Sequence, residues 1–162
     1  MAILNILRYP NPILKKKAKA IKKIDSKIKK LIADMEETMR AEPGVGLAAP
    51  QVGESIRLFV ADIGEGIIVM INPKIVKRKG EQTFMEGCLC LPGLDAPVKR
   101  ASYVKVKGMN LKGKIREVEA QGLLAQVFQH EIDHLDGKVF IDRVEDPTQI
   151  RTVVAGTKEE NI

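Results

Sequence analysis

A chain of 162 residues, 44% of them hydrophobic, is long enough for one domain with a sizeable core and too apolar to remain disordered. It has no run of eighteen apolar residues and no leader-type apolar segment, so residues 1–162 read as a single cytoplasmic domain without a membrane span. The net charge is +6, and much of the excess falls on Lys15, Lys16, Lys17, Lys19, Lys22, Lys23, Lys27, Lys29 and Lys30, opposed in that stretch only by Asp25. No arginine or aromatic residue interleaves with these lysines, which disfavours specific reading of DNA and leaves a solvated surface as the simpler account. A transient contact with RNA or the ribosome is the functional alternative.

In chain order, Ile3 to Tyr9 is short and apolar and is turned by Pro10-Asn11-Pro12. Asp25-Ser26 is a helix N-cap site, and Ile28, Leu31, Ile32, Met35 and Met39 recur at helical spacing, predicting a helix from 26 to about 40. Residues 42–53, from Glu42-Pro43-Gly44 through Gln51-Val52-Gly53, are dense in glycine, alanine and proline. Such a stretch suits a tight turn or the backbone wall of an active site. It lacks the residues of a phosphate loop. Ile56 to Asp62 and Ile67 to Ile71 form a predicted hairpin around Gly64-Glu65-Gly66, with Asn72-Pro73 ending the second strand and Lys74 to Lys79 pairing again. Residues 82–91 contain Glu86-Gly87-Cys88-Leu89-Cys90-Leu91, followed by an irregular stretch to Pro97. Ser102 to Met109 alternates as a half-exposed strand, Asn110 to Gly113 turns, and Lys114 to Ala120 returns. From Glu119 to Asp136 no proline intervenes, and Leu124, Val127, Phe128, Ile132 and Leu135 make an apolar helical stripe ended by Gly137. Phe140 to Val144 is a short apolar exit, and the tail ending Thr157–Ile162 is polar and reads as mobile.

The second helix carries the sharpest signal. His130-Glu131-Ile132-Asp133-His134 places both histidines of the chain on one helical face, one turn apart, with a glutamate beside them. Two imidazoles so spaced can ligate one metal ion, and Glu131 can handle the protons of a reacting water. A catalytic metal needs a further protein ligand and an open position. The nearby carboxylates downstream are Asp136, Asp142, Glu145 and Asp146; upstream lie two cysteines, Cys88 and Cys90. Alternation along a strand leaves both cysteines eligible. So close a pair reads as a poor disulfide, and the count suits metal ligation or packing in a reducing compartment.

Gly44-Val45-Gly46-Leu47-Ala48-Ala49-Pro50-Gln51, Glu86-Gly87-Cys88-Leu89 and Gln129-His130-Glu131-Ile132-Asp133-His134 resemble, in order and spacing, the three signature motifs of the peptide deformylases. The resemblance runs from Leu7-Arg8-Tyr9-Pro10 to about Arg143. It implies an α+β fold: a single domain with antiparallel β-sheets packed around a central metal-binding helix, plus an N-terminal helix. It implies removal of the formyl group from nascent N-formylmethionyl polypeptides. It selects Cys88, His130 and His134 as ligands of a metal, typically Fe2+ in the cell, with zinc, nickel or cobalt able to replace it. Glu131 becomes the general base, Gln51 Nε2 and the Leu89 N–H the oxyanion donors, and Gly46 a backbone contact for substrate. Val45, Phe84, Leu123, Gln126 and Val127 are the candidate lining of a methionine slot. Glu86 and Arg100 are expected to form a partly buried ion pair, and Asp133 to orient groups behind the ligands. The chain departs from the family at Cys90, where serine is common. An H-E-x-x-H peptidase and a non-catalytic RNA- or ribosome-binding metal protein are the alternative readings.

Overall fold

The computed structural model describes residues 2–153, so the tail expectation at Thr157–Ile162 lies outside the described residues. Its elements are α1 (Ser26–Ala41), β1 (Gly46–Ala48), β2 (Leu58–Ala61), β3 (Ile68–Lys79), β4 (Gln82–Gly87), β5 (Leu94–Arg100), β6 (Tyr103–Met109), β7 (Ile115–Gln121), α2 (Gly122–Leu135) and β8 (Arg151–Thr152). Five strands form one antiparallel sheet in the order β1-β2-β3-β6-β7, and three form a second in the order β4-β5-β8. No helix of the described residues is long and apolar enough to cross a membrane. The α+β arrangement expected from the sequence is the one found.

Helix α1 starts where Asp25 accepts the Ile28 N–H at 3.0 Å, which satisfies one of the donors a helix N-terminus leaves free. It buries Ile32, Met35 and Met39. Strand β2 shows how the layers are built. Leu58 and Val60 join the core under α1, while Phe59 and Ala61, on the opposite face, join the core under α2. All four residues are buried because both faces of the sheet are covered there. Under α2 the rings of Phe59 and Phe128 meet at 5.5 Å in a tilted contact. A third apolar cluster gathers Leu14, Cys88, Cys90, Val98 and Phe140 beside β4 and β5.

Three local expectations change. Helix α2 is not a one-sided stripe: every residue from Ala125 to Leu135 is buried, because the sheets and connecting segments enclose it on all sides. The Asn72-Pro73 pair does not end its strand. β3 continues to Lys79 through a register shift between Ile71 and Lys74, moving its pairing from β2 to β6. Asn72 takes a positive φ of 52° there, and its side-chain amide bonds both ways to the Ile21 backbone, accepting from N–H and donating to C=O at 2.8 Å each. The irregular stretch ends at Gly93, earlier than expected: β5 starts at Leu94, and Pro97 lies in it opposite Met85. Strand β8 covers only Leu94 and Asp95 on the other edge of β5, so a proline without an N–H is tolerated.

Replacing Asn72 by alanine removes both bonds to Ile21 and puts in the left-handed region a residue that tolerates it less well than asparagine. The expected loss is about 2–3 kcal/mol of stability, read as a lower urea midpoint with an unchanged slope.

Candidate active site

The site lies where the three apolar clusters meet. His130 and His134 project from the same face of α2, their rings 4.9 Å apart. Strand β4 ends at Gly87, and the turn after it delivers Cys88. Cys88 Sγ is 3.3 Å from His134 Nε2, which is 3.2 Å from His130 Nε2. Across Cys88, His130 and His134, the candidate ligand atoms lie within 4.8 Å of one another. All three residues are buried. The grouping of donor atoms includes Cys88 and leaves out Cys90.

The chemistry of the set fits a metal ion. His130 Nδ1 meets the Glu86 carboxylate at 2.7 Å, an acceptor that orients the ring and turns Nε2 toward the cluster. Burial, with His130 adding to it, pushes the His134 imidazole well below its ordinary pKa, which favours its neutral, metal-ligating form. Burial and the neighbouring Cys90 sulfur push the Cys88 thiol up, a cost that binding of a cation at the sulfur reverses. One sulfur and two imidazole nitrogens suit iron, zinc, nickel or cobalt.

Glu131 faces the same space. Both carboxyl oxygens are buried, with no hydrogen-bonding partner among the described residues. Burial, with the charges of Cys90 and Glu86 adding to it, raises its pKa well above the carboxylate range. Gly46 on β1 explains the absence of bulk in that loop: a Cβ there would lie 2.5 Å from Glu131 Oε2. Gln51 stands in a short 3-10 turn over Ala49–Val52. Its Oε1 accepts the Ala48 N–H at 2.8 Å, which turns Nε2 into the site, 3.4 Å from Cys88 Sγ. Leu89 occupies the turn in which the Leu91 N–H donates to the Cys88 C=O at 3.0 Å.

Behind the ligands lies a polar network larger than the sequence suggested. Arg100 grips Glu86 through two bonds, Nε to Oε2 at 2.6 Å and an outer nitrogen to Oε1 at 3.0 Å. The pair is fully buried rather than partly so. Burial raises the Glu86 pKa, but bonds from His130 and Arg100 more than offset it, and the carboxyl is held below its usual range. Asp133 does not accept from an imidazole. Arg100 at 2.8 Å and Arg143 at 2.9 and 3.0 Å occupy its oxygens, and Glu86 is the acceptor for His130 instead. Gln126, placed by sequence among the slot residues, donates its amide to Glu86 and to the Val98 C=O and accepts from Gln82. Val45 and Val127 are buried in the core beneath α2, whereas Phe84 and Leu123 are half-buried. Sequence reasoning missed the roles of Gln126 and Arg143. The spacing of Glu86 two places before Cys88 was the available signal for an acceptor next to the ligands.

An α+β domain whose enclosed helix presents two imidazoles and a carboxyl group, joined by a thiol from a neighbouring turn, defines a metal-dependent hydrolase. The polypeptide deformylase family model matches residues 3–149. A peptide deformylase of Dictyoglomus thermophilum is 51% identical over 146 residues, covering 90% of this chain and 95% of that relative. One of Clostridium botulinum is 52% identical over 143 residues, covering 88% and 97%. The solved peptide deformylase of Thermotoga maritima superposes with a TM-score of 0.88 at 43% identity, covering 90% of this chain and all of the other. That of Synechococcus elongatus, in complex with actinonin, gives 0.88 at 39% identity, covering 90% and 81%. The chain belongs to the polypeptide deformylase family, enzymes that remove the N-formyl group from nascent peptides.

Gly46→Ala forces the Glu131 carboxyl aside, and because the obstructed atom is the end of a side chain the fold survives. Formate release from a formylated peptide should fall at least about tenfold in kcat. The circular dichroism spectrum and metal content should remain those of the wild type.

Proposed function

We propose that this chain hydrolyses the formyl–nitrogen bond at the N-terminal formylmethionine of newly made polypeptides, releasing formate, with Cys88, His130 and His134 holding Fe2+ in the cytoplasm. The observation that carries the reading is the convergence of those three donors beside an unpartnered, buried Glu131. When bound, the metal supplies acidification of the attacking water and polarisation of the formyl carbonyl. Glu131 takes the water proton at its carboxylate and returns it to the amine nitrogen as the C–N bond breaks. The Gln51 amide, held by Ala48, and the Leu89 N–H donate to the oxygen that gains charge as the carbonyl carbon becomes tetrahedral.

The substrate backbone pairs with β1. That strand is bonded to β2 on one side only, so Gly46 lies at a sheet edge whose remaining backbone groups can pair with an extended peptide once it enters the buried site. Phe84 and Leu123, with Val45 and Val127 beneath them, offer apolar surface for the methionine side chain, and Gln126 serves as a brace for Glu86. An acetylated terminus is rejected sterically because the formyl position admits little more than hydrogen on carbon. The whole chain acts as one catalytic domain. The exposed lysines between Lys15 and Lys30 supply a transient ribosome contact that brings the enzyme to its substrate.

Anaerobically purified, metal-replete protein should release formate from formyl-Met-Ala-Ser; if it releases none, the reading fails. Glu131→Ala should lower kcat by about 10²–10⁴-fold with metal content retained. Cys88→Ser should lose metal and Cys90→Ser should keep it, measured by elemental analysis; the reverse result would transfer the ligand role to Cys90.

A further inference from the structure

Cys90 has no part in the chemistry above, yet its sulfur stands 3.2 Å from that of Cys88. These are the only cysteines of the chain, both free and both fully buried. On an extended strand, positions i and i+2 lie about 6.5–7 Å apart at Cα, at or beyond the limit a disulfide spans. The structure removes that obstacle. Strand β4 stops at Gly87, and the Leu91 N–H closes a turn on the Cys88 C=O. The chain therefore doubles back across the two cysteines and presents both side chains to one side. The Tyr9 N–H, donating to the Cys90 C=O at 2.8 Å, holds the far end of this turn against the N-terminal segment.

We infer that Cys88 and Cys90 form an oxidation site that closes to an intrachain disulfide, with Cys90 resolving oxidised Cys88. The co-reactant is a small peroxide, little larger than a water molecule. The Cys88 sulfur attacks one peroxide oxygen, the O–O bond breaks, and a sulfenic acid forms as water departs. The Cys90 sulfur then attacks the sulfenic sulfur, the S–O bond breaks, and the oxygen leaves as a second water carrying the thiol proton. In sum, two thiols and one hydrogen peroxide give one disulfide and two waters. Sulfur loses the two electrons that peroxide gains. A serine at position 90 could not perform the second step, and the sulfenic acid would proceed to sulfinic and sulfonic acids, which thiols do not reverse. The inference depends on Cys88 as a metal ligand only for its consequence, the reversible withdrawal of one ligand.

The test uses the full chain, stripped with a chelator, exposed to hydrogen peroxide, alkylated and digested with trypsin. Cleavage after Lys79 and Lys99 gives one peptide, residues 80–99, carrying both cysteines. The expected peptide is unalkylated, with its Cys88–Cys90 segment about 2 Da lighter than the reduced form, any single oxygen on the exposed Met85 being located by fragmentation and discounted, and dithiothreitol restores both thiols and zinc uptake. In Cys90→Ser the same peptide should gain two or three oxygens, and dithiothreitol should not restore uptake. Oxygen gained by the wild-type peptide in place of the 2 Da loss, or a disulfide joining two chains on a non-reducing gel, would overturn the inference. Should Cys90→Ser not fold, the wild-type mass decides alone. None of these readings depends on formate release, so a failure here and a failure of the deformylase reading are separable.

Discussion

Glu86 enters the interior with no exposed atom, and the site rests on how its charge is met. Arg100 binds both oxygens, His130 donates to one, and the Gln126 amide to the other. Each partner comes from a different place: Arg100 from the end of β5, the other two from successive turns of α2. A buried carboxylate left alone would cost several kcal/mol or take up a proton. Here its pairing locks a strand of the small sheet to the central helix and sets the ring of one ligand. Asp133 extends the lock by sharing Arg100 with Glu86 and engaging Arg143 beyond the helix. The network supplies more than stability. It determines which nitrogen of His130 faces the cluster, so the ionic architecture behind the ligands reaches into the chemistry in front of them.

The division of labour across the chain follows from this. In the proposed site the helix supplies His130 and His134 on one face with Glu131 beside them, the turn after β4 supplies the Cys88 thiol, and the 3-10 turn after β1 supplies the Gln51 amide. No one segment is competent alone. The Ala48 N–H that fixes Gln51, and the absent Cβ of Gly46 that makes room for Glu131, are backbone features. They hold reacting groups in place without spending side chains, which is why a stretch poor in functional groups borders the site.

Much of this was legible in the sequence because the signals were local. The His130/His134 spacing is a property of helical pitch, the Asp25 cap of a single turn, and the alternation of Val104 and Val106 of a single strand. What the sequence did not disclose depended on distant partners. Asn72-Pro73 read as a stop because local propensity disfavours strand there, but bonds to Ile21, far away in the chain, hold Asn72 in an uncommon conformation and the strand passes through. Pro97 read as irregular for the same local reason, while the short β8 left its edge undemanding. Gln126 read as slot lining because it sits one turn from His130; its engagement by Glu86 is visible only once β4 lies beside α2. The apolar stripe of α2 revealed one buried face, and the second sheet concealed the rest.

The edge position of β1 carries one more consequence. An unpaired strand edge invites pairing with any extended chain, including another copy of the same protein, and long edges of this kind promote aggregation. β1 spans three residues, on the order of 10 Å, between Pro43 upstream and Pro50 downstream, each lacking an N–H to continue a ladder. Such an edge is too short to hold a strand of another folded sheet, but long enough to hold the first few residues of a peptide. Under the proposed pairing, that length would act as a ruler, engaging a peptide at its first residues and no further.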